Sequence, residues 1–190
     1  MKEKFEIIDN FLPQEVFSHL QSFMLGSDIS WYMNKGTTWN PDRQIDDYHK
    51  KINNTIDKDF AKKRSEIEGV KFTHTFYRPI EGITSDHFNL LRPLLHAADA
   101  NHVIAIKANM QLSTPEIVEH CYHTDTFVNC TTMVYHLNTC NGYTHFKSGE
   151  KVESVANRAV IFNSRIPHGG STCTNDINRV VLNINIHKEE

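Results

Sequence analysis

The sequence predicts a single domain that is mainly β with flanking helices, because the chain changes character near residue 100. Apolar residues recur at helical spacing before that point and at every second position after it. We therefore expect a helix-rich supporting part over 1–100 and a sheet-rich core over 101–190. A length of 190 residues lies within the usual size of one domain and suffices to bury a core.

The amino-terminal part is predicted to form three helices and three short strands. The helices are expected at 13–25, 47–67 and 85–98, and the strands at 5–8, 29–33 and 72–77. Pro13 suits the start of the first helix, and Pro93 is expected to bend the third. Trp31, Tyr32 and Trp39 fit either a lid over a substrate or a small satellite core, which is the commoner arrangement for such aromatic residues.

Seven strands are predicted after residue 100. They are expected at 102–112, 117–125, 130–138, 143–147, 151–154, 158–163 and 179–187. Two of them, 102–112 and 179–187, have one apolar and one polar face. The polar faces carry Lys107, Asn109 and Gln111 on the first of the two, and Arg179, Asn183, Asn185 and His187 on the second.

The polar faces of these two strands have two interpretations. An antiparallel sheet with one face on the core and one in water would show the same alternation. Alternatively, the amino-terminal helices cover the apolar face, and the polar faces line the interior of a barrel that holds a polar ligand.

Composition and charge exclude several classes of partner. Hydrophobic residues make up 39% of the chain and the formal net charge is -3, without the basic excess typical of nucleic-acid-binding proteins. We expect no membrane span and no signal peptide, hence a cytoplasmic protein. The four cysteines contain no C-x-x-C pair and are expected to be reduced thiols. The oligomeric state is left open.

The candidate chemical site begins with His123 and Asp125, which lie two residues apart and would point to the same side of an extended strand. Alone this pair means little, because a chain with twelve histidines contains about 0.7 H-x-D tripeptides by chance. Downstream, a short apolar strand leads to His168, and Arg179 opens the last strand. Two histidines and one carboxylate form the facial triad that leaves positions open on iron(II). Arg179 would suit the carboxylate of a co-substrate that chelates the same iron.

The order of these motifs resembles the iron(II)- and 2-oxoglutarate-dependent oxygenase superfamily, particularly its prolyl-hydroxylase-like branch with its small phage-type members. The motifs are H-T-D (123–125), F-N-S-R-I-P-H-G-G (162–170) and R-V-V-L-N-I-N-I (179–186). The segments T-T-M-V-Y-H-L-N (131–138) and N-G-Y-T-H-F (141–146) resemble that branch's aromatic-Leu-Asn strand and the Gly-rich turn after it. The resemblance covers roughly residues 102–187, with weaker similarity in the opening F-E-I-I-D-N-F-L-P-Q-E-V-F.

The resemblance implies a double-stranded β-helix, or jelly-roll, barrel with helices packed on one sheet. It implies an enzyme that uses Fe(II), 2-oxoglutarate and O2 to hydroxylate a C–H bond of a substrate while converting 2-oxoglutarate to succinate. The substrate it implies is peptidyl, with prolyl as the first candidate, or a small molecule. It further implies that His123, Asp125 and His168 bind the iron and that Arg179 pairs with the distal carboxylate of 2-oxoglutarate.

Three further residues are weaker candidates for contact with the co-substrate. Asn109 lies on the polar face of 102–112, and Thr144 follows Gly142. His136 is a departure, because relatives often carry a tyrosine there that helps to bind the same carboxylate. It could donate the equivalent hydrogen bond or be a core histidine satisfied locally.

Several alternatives compete with this interpretation. A zinc site of His120, Cys121 and His123 is disfavoured, because alternate residues of a strand point to opposite faces. His145 is expected at the surface or behind the site. A nucleobase demethylase of the same superfamily would carry a second arginine in the last strand, and a cupin would carry a paired H-x-H motif. A non-catalytic jelly-roll module is the rival from another functional class.

Overall fold

Two antiparallel sheets lie face to face, with helices against the outer side of the larger sheet. The computed structural model describes residues 5–35, 70–126 and 128–188. In chain order the elements of that part are β1 (Phe5–Ile8), α1 (Gln14–Leu25), β2 (Tyr32–Lys35), β3 (Val70–Arg78), β4 (Gly82–Ile83), a 3-10 turn (Phe88–Leu91), α2 (Arg92–Ala97), β5 (Ala100–Leu112), β6 (Thr131–His136), β7 (Cys140–Phe146), β8 (Lys151–Ser154), β9 (Arg158–Asn163), β10 (His168–Gly170) and β11 (Asn178–Lys188).

The larger sheet has the strand order β1-β9-β6-β11-β5-β3-β2, and β4 pairs with β3 at its side. The smaller sheet has the order β10-β7-β8. Two isolated bridges, Glu119 to Ser171 and His123 to His168, extend the smaller sheet beyond β10. The segment 119–123 therefore takes the position of a fourth strand.

The alternation along β11 separates two buried regions. Val180, Leu182, Ile184 and Ile186 belong to the main core, which also contains the buried side chains of α1 and α2. Val181 faces the other way and packs in a smaller apolar cluster between the two sheets. The structure thus confirms a mainly β, jelly-roll architecture with helices on one sheet. It also confirms that polar residues of β11 and β5 face the interior.

Two predicted elements and one predicted bend differ from the structure in the amino-terminal part. The helix expected over 85–98 is only α2 with the 3-10 turn before it. Pro93 lies in the first turn of α2 rather than at a bend, because an N–H at that position would have no intrahelical partner. The strand expected at 29–33 is β2, displaced by two to three residues.

In the carboxyl-terminal part, the strand expected at 117–125 is wrong, since only the two isolated bridges form there. β10 was not predicted, because three residues that include Gly169 and Gly170 carry no alternation. The bounds predicted for β8 and β9 agree with the structure.

The remaining predictions for the amino-terminal part concern the helix at 47–67 and the aromatic residues Trp31, Tyr32 and Trp39. The helix expected at 47–67 and Trp39 lie outside the described residues. Trp31 packs partly buried against the main core rather than in a satellite core, and Tyr32 is 64% exposed. No helix in the described ranges is long and apolar enough to cross a membrane.

Candidate functional site

His123, Asp125 and His168 come together between the two sheets. Their ligand atoms all lie within 4.8 Å of one another. Nε2 of His123 is 3.6 Å from Oδ1 of Asp125, and Nε2 of His168 is 3.4 Å from Oδ2. The two histidines are neighbours because their backbones bond to each other, N of His123 to O of His168 at 2.9 Å and the reverse at 3.0 Å.

Both imidazoles are held with Nε2 towards this centre. Nδ1 of His123 lies 3.3 Å from the carbonyl of Cys121, and Nδ1 of His168 lies 3.0 Å from that of Ile166. A carbonyl only accepts, so each Nδ1 donates its proton, and in the neutral ring Nε2 then keeps a lone pair. Burial lowers the pKa of His168 despite the attraction of Asp125, which favours the neutral form that binds a metal ion.

Asp125 presents an unsatisfied oxygen to the same centre. Its Oδ1 accepts a hydrogen bond from Nδ2 of Asn183 at 3.0 Å, whereas Oδ2 is buried without a hydrogen-bond partner. Burial raises the pKa of Asp125, but His168, His123 and Asn183 outweigh it, so the pKa lies below its ordinary value and the group is a carboxylate. A buried orphan oxygen facing two imidazole lone pairs fits a divalent cation, and this ligand set suits iron(II).

The amide of Asn183 is itself fixed by a chain of buried hydrogen bonds. Nδ2 of Asn185 donates to Oδ1 of Asn183 at 2.9 Å, and the Thr132 hydroxyl donates to Oδ1 of Asn185 at 2.7 Å. Because Oδ1 of Asn183 accepts from Asn185, its Nδ2 must face Asp125. The sequence placed Asn183 and Asn185 on the interior face of β11 without giving either a role.

Arg179 is a buried cation with incomplete pairing. Its side chain is 1% exposed. Nε donates to Oγ of Ser154 at 2.6 Å, Nη2 to Oγ1 of Thr144 at 3.0 Å, and Nη1 to Oε1 of Gln111 at 3.4 Å. These bonds use three of the five N–H donors of a guanidinium.

No carboxylate in the described part of the chain pairs with Arg179. Burial lowers its pKa to about 10, which still leaves the group protonated at pH 7. A desolvated charge with two spare donors is a site for an anion.

Arg179 and the two histidines line one open cleft. Its empty space, which opens to solvent, measures about 490 Å³. The cleft is lined by Lys71, Asn109, Gln111, His120, His123, Val134, Thr144, His168, Gly169, Gly170, Arg179, Val181 and Asn183. A ligand in this cleft can therefore contact the two imidazoles and the guanidinium together.

Two glycines of the sequence motifs make room for Arg179. A Cβ at Gly142 would lie 2.7 Å from Cδ of Arg179 and 2.7 Å from the carbonyl oxygen of Thr172. A Cβ at Gly170 would lie 3.0 Å from Nη1 of Arg179.

The weaker candidates take different positions. Asn109 and Thr144 line the cleft, and Thr144 binds Arg179. His136 is fully buried and is not among the lining residues; its Nδ1 lies 2.9 Å from Oγ of Ser154, the same hydroxyl that accepts from Arg179. Burial lowers the pKa of His136 well below its ordinary value, and the positive charges of Arg179 and Arg158 add to this effect.

Sequence reasoning gave no role to Ser154 and left alternatives open for His120 and His145. Ser154 gave no signal, because its contact with Arg179 depends on how the two sheets stack. His120 lines the cleft and lies outside the His-Asp-His cluster, which leaves the zinc alternative without support. His145 is buried rather than at the surface, and it packs behind Gly169.

Comparisons with known proteins identify the fold. No protein-family model and no curated protein matches the sequence. The structure resembles the non-haem alpha-ketoglutarate-dependent epimerase SnoN from nogalamycin biosynthesis, with a TM-score of 0.59 and 10% identity over 98% of this chain and 77% of that one. It also resembles a prolyl hydroxylase from Trichoplax adhaerens, solved with a hypoxia inducible factor peptide fragment, with a TM-score of 0.56 and 14% identity over 97% of this chain and 84% of that one.

The chain has the fold of these enzymes. A prolyl-4-hydroxylase from Pseudomonas putida covers 100% of this chain and 95% of its own at 16% identity, with a TM-score of 0.48. The similarities to SnoN and to the Trichoplax enzyme confirm the jelly-roll fold predicted from the motif order. At these identities the similarity concerns the fold, and a fold of this kind can carry different activities.

Proposed function

We propose that this protein is an iron(II)- and 2-oxoglutarate-dependent dioxygenase that hydroxylates a C–H bond. The observation that carries the proposal is the orientation of the three candidate ligands. Two imidazole Nε2 atoms and one orphan carboxylate oxygen face the same point, and the two histidines line a cleft that also contains a buried arginine with spare donors.

Each part of the cleft has a role in this proposal. His123, Asp125 and His168 would hold iron(II), and Arg179 would bind the distal carboxylate of 2-oxoglutarate. Bound iron(II) would supply the site at which O2 is activated as 2-oxoglutarate is oxidised to succinate and CO2. Asn183 holds the carboxylate of Asp125, while Ser154 and Thr144 fix the guanidinium plane. Val134 and Val181 supply apolar walls that limit the access of water.

A peptide or a small molecule is the proposed substrate. The Trichoplax prolyl hydroxylase was solved with a peptide fragment, which supports a peptide, and SnoN acts in the biosynthesis of nogalamycin, which supports a small molecule. A succinate-release screen over peptides, free amino acids and nucleotides would separate these classes and would also test the nucleobase alternative.

Anaerobic addition of iron(II) and 2-oxoglutarate tests the proposal directly. We expect a visible charge-transfer band that is lost in His168→Ala and kept in His96→Ala, a control on the exposed side of α2. If the wild-type protein gives neither the band nor 2-oxoglutarate turnover, the chain is a non-catalytic jelly-roll module.

A further inference from the structure

His120 lines the cleft and has a ring nitrogen without a hydrogen-bond partner. The residue is 3% exposed and lines the cleft, yet its Nε2 has no hydrogen-bond partner. Its backbone N–H donates to the carbonyl of Gly170 at 2.9 Å, so the residue is fixed beside β10. A buried polar atom of this kind costs free energy unless a ligand satisfies it.

The hydrogen-bond chain from Arg179 determines which atom of His120 carries the proton. A guanidinium only donates, so Oε1 of Gln111 must be the atom that faces Nη1 of Arg179. Nε2 of Gln111 then donates to Nδ1 of His120, at 3.3 Å. Nδ1 is therefore the acceptor of the ring, and Nε2 carries the proton.

His120 is neutral in this environment. Burial lowers its pKa to about 3, and the positive charges of Lys71 and Arg179 act in the same direction. The ring thus presents one N–H donor, and this donor adds no charge to the cleft.

The chemistry around this donor selects an anion with oxygen acceptors. Arg179 keeps two spare N–H donors, Lys71 also lines the cleft, and no acidic side chain is among the lining residues. Gln111 contacts both His120 and Arg179, which ties the two donors to the same end of the cleft.

We propose that His120 donates a hydrogen bond from Nε2 to the distal carboxylate of the co-substrate, with Gln111 as the residue that positions it beside Arg179. The proposal rests on the proposed function. It assigns one carboxylate to two donors from different sheets, Arg179 on β11 and His120 in the segment that pairs with β10.

The test compares two 2-oxo acids that chelate iron through the same group. 2-Oxoglutarate has a distal carboxylate, and pyruvate has none. Wild-type protein, His120→Phe, His120→Gln and the exposed control His96→Ala are titrated anaerobically with iron(II) and either 2-oxoglutarate or pyruvate. The charge-transfer band reports the dissociation constant of each acid. Phenylalanine keeps the ring volume without a donor, and glutamine restores an N–H.

We expect His120→Phe to raise the dissociation constant for 2-oxoglutarate about 10- to 100-fold, as for a lost hydrogen bond to a charged group. The constant for pyruvate should not change, and His120→Gln should recover part of the loss. An unchanged dissociation constant for 2-oxoglutarate in His120→Phe would overturn the proposal. This holds also if the KM of the substrate that is hydroxylated rises, because His120 would then contact that substrate. Equal weakening of both acids would also overturn it.

If the proposed function itself is wrong, the titrations give a different result. In that case wild-type protein gives no band with either acid, whatever residue occupies position 120.

Discussion

Asp125 and Arg179 hold opposite charges, and the protein itself leaves both groups incompletely satisfied. Asp125 has an orphan oxygen, and Arg179 has two spare donors and no carboxylate partner among the described residues. Burying such groups is costly unless a ligand compensates for them. The carboxylate of Asp125 suits a cation and the guanidinium of Arg179 suits an anion. The presence of these two groups near each other is therefore the strongest residue-level argument for a ligand that contacts both.

Replacing Arg179 should separate these two parts. We expect Arg179→Ala to weaken 2-oxoglutarate binding by about 2–5 kcal/mol, because a buried charge pair with hydrogen bonds is lost. Iron(II) binding should survive, because Arg179 is not a candidate ligand. Anaerobic titrations of iron(II) and of 2-oxoglutarate would measure the two effects, and an equal loss of both would refute the assigned role.

Asn183 offers a test of how Asp125 is positioned. Asn183→Ala removes the amide that binds Oδ1, and we expect iron(II) affinity to fall about 10- to 100-fold, as for other residues that support a metal ligand. Asn101→Ala, at an exposed position of β5, is the matched control. Isothermal titration under anaerobic conditions would measure both variants, and equal affinities would rule out a positioning role for Asn183.

Among the elements, β11 joins the core to the site, since its alternate residues face opposite ways. Leu182 is fully buried in the main core, whereas Val181 and Asn183 line the cleft. This alternation was visible in the sequence because it has a strict period of two. The segment 119–123 could not be predicted in the same way, because it is held by two isolated bridges rather than by a continuous ladder.

The core face of β11 should determine stability. We expect Leu182→Ala to lower the free energy of unfolding by about 2–5 kcal/mol through lost burial and a cavity. His187→Ala, on the exposed end of the same strand, should change it by less than about 0.5 kcal/mol. Urea denaturation would measure both, and similar losses would show that the core face of β11 does not dominate stability.

For the molecule as a whole, the sequence predicted best those features that a single strand or a single motif encodes. It failed where distant strands had to be placed against each other. The three metal-ligand candidates and Arg179 each lie in a recognisable local motif. Ser154 contacts Arg179 because the smaller sheet, which contains β8, packs against the larger one, and Gln111 contacts it because β5 pairs with β11 with Gln111 opposite Arg179. No local pattern encodes either placement.

Ligand binding between the two sheets should stabilise the whole fold. At free ligand 100 times above its dissociation constant, binding to the native state alone contributes about 2.7 kcal/mol. For a chain of this length that corresponds to a rise in Tm of about 5–11 °C. Calorimetry with anaerobic iron(II) and 2-oxoglutarate would measure the rise, and a similar rise in His168→Ala would show that the ligands bind elsewhere.

Gly142 shows that a residue without a side chain can determine where a neighbouring side chain lies, here that of Arg179. An added methyl group would meet Cδ of Arg179 on one side and the Thr172 carbonyl on the other, each at 2.7 Å. The backbone carbonyl cannot easily yield, so the arginine would have to move. A Gly142→Ala protein would then behave as an anion-binding mutant although residue 142 is not among those that line the cleft. The shape of the space around Arg179 is thus encoded partly by a glycine, through the side chain that it lacks.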